Sequence, residues 1–450
     1  LASHCSGIDA SCVSDMDETD APKPDHPESG QNDPKKDGLA RSLGLGIITG
    51  AADDDVSAVG TYASAGAQFG PAFLWLAPLL FPMMFVVTYL SSKLGQVGGK
   101  GLFDALRDHY PRWILWPTLI GVMIGNTVEA AADLGGMAAA LNLFIPVPIP
   151  IIVVVVATII LILQILGSYK VIRNTFRWLA LVLLAYIASA ILAEPDPWEV
   201  LRGTFIPRIE FSREFLSMLV AIIGASLSAY IYTWQSNVEV EEEIAEGRTT
   251  LEQRRGATSQ ELRQSRNDVL TGMLFSNVIM YFIMLSTAET LHKAGETDIT
   301  TAAQAAAALR PLAGEGAYIL FTVGLVAVGL LAVPVMTIGA AYDFCQAMGW
   351  KASLNARASE DKGFYVIIAG VTAAAVLLNF LGINPMYFLV YAGIVQGFAA
   401  PPLFLLIVLM TNNRDIMGAN TNSFWLNALA VVTLLAIFAA SLGLVLTWVL

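Results

Sequence analysis

The 450 residues are 56% hydrophobic and 14% charged, with a mean hydropathy of +0.63. A soluble globular domain does not reach that balance, whereas a polytopic membrane protein does. The formal net charge of −12 comes with Lys and Arg spread over short loops, which gives no nucleic-acid signature. The three cysteines show no CxxC or Cys/His spacing, and two of the four histidines, His4 and His26, fall in a polar tail. A disulfide framework, a thiolate metal site and a His-based zinc site are therefore not expected.

Residues 1–40 are rich in Asp, Pro, Ser, Gly and Lys and have hardly any apolar run, so the sequence predicts a disordered cytoplasmic tail without the core of a signal peptide. Beyond Arg41, apolar stretches long enough to cross a hydrocarbon core of roughly 30 Å recur about eleven times. The predicted spans are 42–70, 71–92, 113–142, 148–168, 172–193, 214–243, 268–291, 315–346, 364–383, 385–410 and 422–449. All but five of the 25 Lys and Arg fall in the tail or in loops on its side; the exceptions are Arg202, Arg208, Arg213, Lys293 and Arg310. This asymmetry predicts a cytoplasmic N-terminus, an external C-terminus and an odd number of spans.

The stretch Asp53-Asp54-Asp55, flanked by Gly50 and Gly60, sits inside the first span. Each ionised Asp at the bilayer centre costs roughly 2.5–3.5 kcal/mol, so these carboxylates are expected to face water, protein or a cation. The sixth span carries a second interruption at Gly224-Ala225-Ser226-Leu227-Ser228-Ala229-Tyr230. Broken helices in corresponding positions of two halves point to an ion site in an inverted-repeat transporter, where unwound carbonyls act as ligands. Taken alone, the second stretch fits ordinary small-residue packing equally well.

Ile48–Trp75 resembles the first transmembrane segment of the NRAMP metal transporters, with Asp55-Val56-Ser57-Ala58 in register with their Asp-Pro-Gly-Asn motif and Ser228-Ala229-Tyr230 with their Met-Pro-His. Matches continue at Asn126–Asp133, Gly329–Ala332, Gln396 with Pro401-Pro402, and Thr411–Gly418, so the resemblance covers nearly everything past residue 40. It implies a LeuT-like fold: an all-α polytopic membrane protein with five plus five inverted-repeat helices, an additional C-terminal helix, eleven spans in all, and discontinuous helices 1 and 6. Repeat one then covers about 42–193, repeat two about 214–410 and the extra helix about 422–449, within a transporter domain of 41–450.

The triple Asp, and Trp234-Gln235 leading to Glu239-Val240-Glu241-Glu242-Glu243, resemble the NRAMP-related magnesium transporter branch, although Val56 and Ala229 stand where that branch carries Pro. Ser228 replaces the coordinating Met, Ala58 the Asn, and Tyr230 and Trp234 the histidines. Physical chemistry points the same way, since a thioether favours soft transition metals while Mg2+ prefers oxygen ligands and keeps much of its water. The resemblance implies metal contacts at Asp55, Ala52, Ala58, Ala225, Ser228 and Gln396. Asp54, Asp53, Tyr230, Trp234, Asn126 and Asp133 are expected to support the site or the pathway, with Glu129 in a polar network.

The expected activity is uncoupled uptake of Mg2+ and Mn2+ by alternating access in the inner or plasma membrane, by a monomer without a cofactor. Asp133 is the one acid left of the family's proton relay, because Asn126 stands where the family usually has Glu. The alternatives are proton- or sodium-coupled transport of transition metals or a small organic substrate, and a Mg2+ sensor that does not transport. No HExxH, GxSxG or nucleophile–base pair suggests an enzyme.

Overall fold

The computed structural model describes residues 49–166, 183–353 and 361–449, with side chains to residue 447. The predicted tail, the start of the first span and the first half of the fifth lie outside the described residues. What is described is helical throughout.

The chain enters as α1 (residues 49–53), leaves helical geometry at Asp54 and Asp55, and resumes as α2 (Val56–Phe69). No Pro stands at 56 to impose this break. Asp55 instead adopts an extended backbone, with φ −66° and ψ −179°, and its carboxylate caps α2 by accepting from the Ala58 N–H. A carboxylate at this position satisfies one of the free amides of the first turn and sits at the positive end of the helix dipole.

A 3-10 turn at Gly70–Phe73 leads into α3 (Leu76–Gly98). The second span therefore starts and ends several residues later than the sequence suggests, because Pro71 sits in that turn and helix persists until Gly99 closes it with φ +63°. A short α4 (Leu102–His109) follows, then α5 (Arg112–Asn142) and α6 (Ile149–Leu166). α7 (Leu184–Leu192) follows within the predicted fifth span, and α8 (Pro197–Phe205) leads from it toward the second half.

The next break separates α9 (Arg213–Ser226) from α10 (Ala229–Ala245) at Leu227 and Ser228. Its loose backbone ends are met by protein: the Tyr232 hydroxyl donates to the Leu227 carbonyl, and the Ala229 N–H donates to Gln396 Oε1 at 3.2 Å. Non-helical backbone at membrane depth requires this kind of internal satisfaction. The chain continues through α11 (Ser259–Thr287), α12 (Ala302–Ala307), α13 (Ala317–Met348), α14 (Lys362–Leu378), α15 (Pro385–Asn412) and α16 (Phe424–Val449).

Among the described residues, eight stretches are long and apolar enough to cross a membrane, counting Arg213–Ala245 as one. The other three expected spans meet shorter helices: α2, α6 and α7. Outward apolar side chains such as Ile151, Val155, Ile159 and Ile162 on α6, and Val432, Leu435 and Leu442 on α16, present a lipid-facing surface rather than a core.

Packing sorts the helices into two groups. α2, α3, α10 and α11 lie against one another, while α5, α13 and α14 form a second set; α15 touches both. The half-helices before each break are held to their neighbours by close backbone contacts. A Cβ on Gly224 would lie 1.9 Å from the Gly393 carbonyl oxygen, and one on Gly50 would lie 2.2 Å from that of Gly272, so α9 presses on α15 and α1 on α11.

Candidate functional site

The site lies where the two breaks face each other. The carbonyl end of α1, the amide end of α2, the carbonyl end of α9 and the amide end of α10 converge with α5 and α15. Asp53, Asp54, Asp55, Glu129 and Asp133 are all buried there, with exposures of 0–1%.

Asp55 is the hub. Its Oδ1 accepts from the Ala58 N–H at 2.6 Å and the Ser57 hydroxyl at 2.9 Å, and its Oδ2 accepts from the Tyr230 hydroxyl at 3.0 Å. The same phenol is 2.6 Å from the Ala52 carbonyl oxygen. Ala58 contributes an N–H at this point, not an electron pair.

Glu129 links the halves. Its Oε1 lies 3.1 Å from Ser57 Oγ and 3.2 Å from Ser228 Oγ, while Oε2 accepts from the Gln396 amide. One turn on, Asp133 Oδ1 accepts the Ser57 N–H at 2.9 Å. Asn126, one turn earlier, is fully buried, and neither of its amide atoms meets a hydrogen-bond partner among the described residues. Asn126, Glu129 and Asp133 have helical spacing of three and four and therefore share one face of α5.

Ser228 Oγ also lies 2.9 Å from the Gly224 carbonyl oxygen and 3.3 Å from that of Ala225, at the negative end of the α9 dipole. Asp53 and Asp54 turn toward α11, where one Ser276 hydroxyl serves Asp53 Oδ2 at 2.9 Å and Asp54 Oδ1 at 3.1 Å. Trp234 joins the apolar core one turn beyond Tyr230.

The structure thus brings Asp55, Ala52, Ala225, Ser228, Tyr230, Gln396 and Asp133 together. It adds Ser57 and Glu129 at the centre and gives Asp53 and Asp54 a neighbour of their own. Among the described residues no three His, Cys, Asp or Glu side chains converge closely enough to hold a metal by themselves, so a cation here would also draw on carbonyl, hydroxyl and amide oxygens. Such oxygen donors suit hard divalent ions.

Below the site, α4, α10 and α13 enclose a cavity of about 280 Å³ that opens beside Lys100, Asp104, Arg107 and Arg254. Burial raises the Asp104 carboxyl above its ordinary value, and Arg107, 2.9 Å away, opposes that. Two glutamates of the run on α10 are engaged by neighbouring helices. Glu239 accepts from Ser92 at 2.5 Å, Gln235 at 3.0 Å and Gln96 at 3.3 Å, whereas Glu241 turns to Tyr342 on α13.

Comparison with known proteins shows where this arrangement recurs. The Divalent metal cation transporter MntH of Deinococcus radiodurans is 28% identical over 410 residues, covering 87% of this chain and 88% of its own length. The MntH of Pectobacterium carotovorum is 24% identical, with 89% and 92% covered. These relatives are transporters rather than enzymes, in agreement with the sequence reading. The crystal structure of the Eremococcus coleocola manganese transporter, in complex with an aromatic bis-isothiourea substituted compound, superposes with a TM-score of 0.70 at 17% identity, over 94% of this chain and 88% of that one. The inward-facing conformation of Mhp1 gives 0.53 at 14% identity, covering 91% and 90%, so the fold is that of the LeuT-like transporters. Residues 46–447 match the family described as Natural resistance-associated macrophage protein-like. The chain belongs to the Nramp family.

Proposed function

We propose that this protein is a divalent cation transporter that takes up Mg2+ and Mn2+ by alternating access, and that it belongs to the magnesium-transporting branch of its family. The observation that carries this reading is the all-oxygen lining at the two helix breaks: the Asp55 carboxylate, the Ala52 and Ala225 carbonyls, the Ser228 hydroxyl and the Gln396 amide oxygen. Ser228 replaces a thioether, which removes the ligand that would favour a soft metal. Ala58 offers no side-chain ligand, which leaves room for a partly hydrated ion.

In this reading α2, α3, α10 and α11, with α1 and α9, rock against the remaining helices. The chain spans the plasma membrane eleven times as a monomer, with two interrupted spans, a cytoplasmic N-terminus and an external C-terminus. Uptake is uncoupled and driven by the gradient and the membrane potential, worth about 2.3 kcal/mol per charge per 100 mV. The replacement of both family histidines by Tyr230 and Trp234 supports this.

Calorimetric titration of Mg2+ and Mn2+ into the wild type and Asp55→Ala tests the site. Binding heats are expected in the first and absent in the second; equal heats in both would remove Asp55 from the site.

A second reading, proton-coupled uptake, is favoured by Glu129, which together with Asp133 extends an acid network from Asp55 through Ser57. A pH-sensitive dye inside proteoliposomes separates the two. Acidification in step with metal entry selects coupling, and a flat trace selects the uncoupled mechanism.

A further inference from the structure

Asp343 lies in the 32-residue apolar helix α13 and is fully buried, and the polar group that reaches its carboxylate is the Thr233 hydroxyl of α10. A carboxylate in such a place is costly unless it takes up a proton or a positive charge visits it. The same Thr233 hydroxyl lies 3.2 Å from the Tyr230 carbonyl oxygen, so it has two acceptors for one proton.

Asp343 is one rung of a ladder. Tyr230, Thr233, Asn237 and Glu241 share one face of α10 by their spacing of three, four and four, so successive rungs stand about 5–6 Å apart. At the top, Tyr230 touches Asp55. Thr233 and Asp343 come next. Gln346 Nε2 then donates to Asn237 Oδ1 at 2.7 Å, and the Tyr342 hydroxyl donates to Glu241 at 2.7 Å. Asn237, Glu241, Tyr342 and Gln346 all line the 280 Å³ cavity. Asn237 Nδ2 and Gln346 Oε1, both buried on this path, are without partners among the described residues, so polar capacity remains unspent between Asp343 and the cavity.

We propose that Asp343 is a second station for the transported divalent cation, between the central site and the cytoplasmic cavity, with the Thr233 hydroxyl and Gln346 Oε1 as neutral oxygen donors beside it. The proposal rests on the transport reading above. A carboxylate midway shortens the step over which a partly hydrated ion crosses apolar surroundings without a counter-charge.

The test uses Asp343→Asn in right-side-out and inside-out vesicles, with Mn2+ and Mg2+ as probes. The KM for ions presented at the cytoplasmic face is expected to rise at least tenfold, the KM from the external face and the calorimetric affinity of the central site to stay within twofold, and Asp343→Glu to restore most of the loss. A KM unchanged on both faces, or shifted equally on both as a purely structural acid would give, overturns the proposal. If Asp343→Asn does not fold, Gln346→Leu decides: a rise of about threefold on the cytoplasmic face alone supports the station, and no sided rise overturns it. Wild-type vesicles that pass neither metal would overturn the transport reading instead.

Discussion

The Tyr230 hydroxyl bridges the Asp55 carboxylate and the carbonyl of Ala52, at 3.0 and 2.6 Å. One phenol therefore occupies two oxygens that a cation at the first break would use. Hydrogen bonds to a charged partner contribute about 1.5–3 kcal/mol, and this one must be given up when an ion arrives. Tyr230→Phe is expected to tighten Mg2+ binding by about tenfold in calorimetry, which corresponds to about 1.4 kcal/mol. Weaker binding would make the hydroxyl itself a ligand.

On the proposed reading, Ser228 sets the chemical softness of the site. Its Oγ faces Glu129 and two carbonyls at the end of α9, all hard oxygen groups. Ser228→Met would insert a polarisable sulfur there. The ratio of Mn2+ to Mg2+ uptake in proteoliposomes is expected to rise several-fold, and an unchanged ratio would remove the soft-ligand argument.

Glu129→Gln tests how the acids divide their work. Gln keeps the shape and removes the ionisable carboxyl that neighbours Asp55 through Ser57. With uncoupled uptake, the variant is expected to weaken cation affinity about tenfold while the intravesicular dye stays flat in both proteins. A dye signal present in the wild type and lost in the variant would assign Glu129 to proton transfer.

The breaks depend on helices that approach backbone to backbone. Gly224→Ala would drive a methyl to 1.9 Å from the Gly393 carbonyl oxygen, an overpacking expected to cost about 1–3 kcal/mol and to lower the melting temperature in detergent. Gly121→Ala on α5 is the control, since no atom lies within 4 Å of the added carbon. It is expected to leave the melting temperature unchanged or slightly raised, because Ala is the better helix former.

Much of this site was legible because the costliest residues in a membrane are also the easiest to see. Three aspartates between glycines, and a polar interruption near Ser228, marked both breaks before any coordinates. Glu129 was read only as a member of a polar network, although its spacing from Asn126 and Asp133 already placed all three on one helical face. Nothing local could show that Asp53 and Asp54 share Ser276, more than two hundred residues away. Asp343 belongs to no motif, and its meaning depends on the facing residues of α10, which only packing reveals.

Gln396 has one further consequence. Its amide oxygen holds the first N–H of α10, and its amide nitrogen holds Glu129 on α5. A planar amide with fixed donor and acceptor ends can serve both only while those two helices keep their present alignment. A rotation of α10 would strain one of these bonds, so this side chain ties the position of a half-helix to the hydrogen bonding of Glu129.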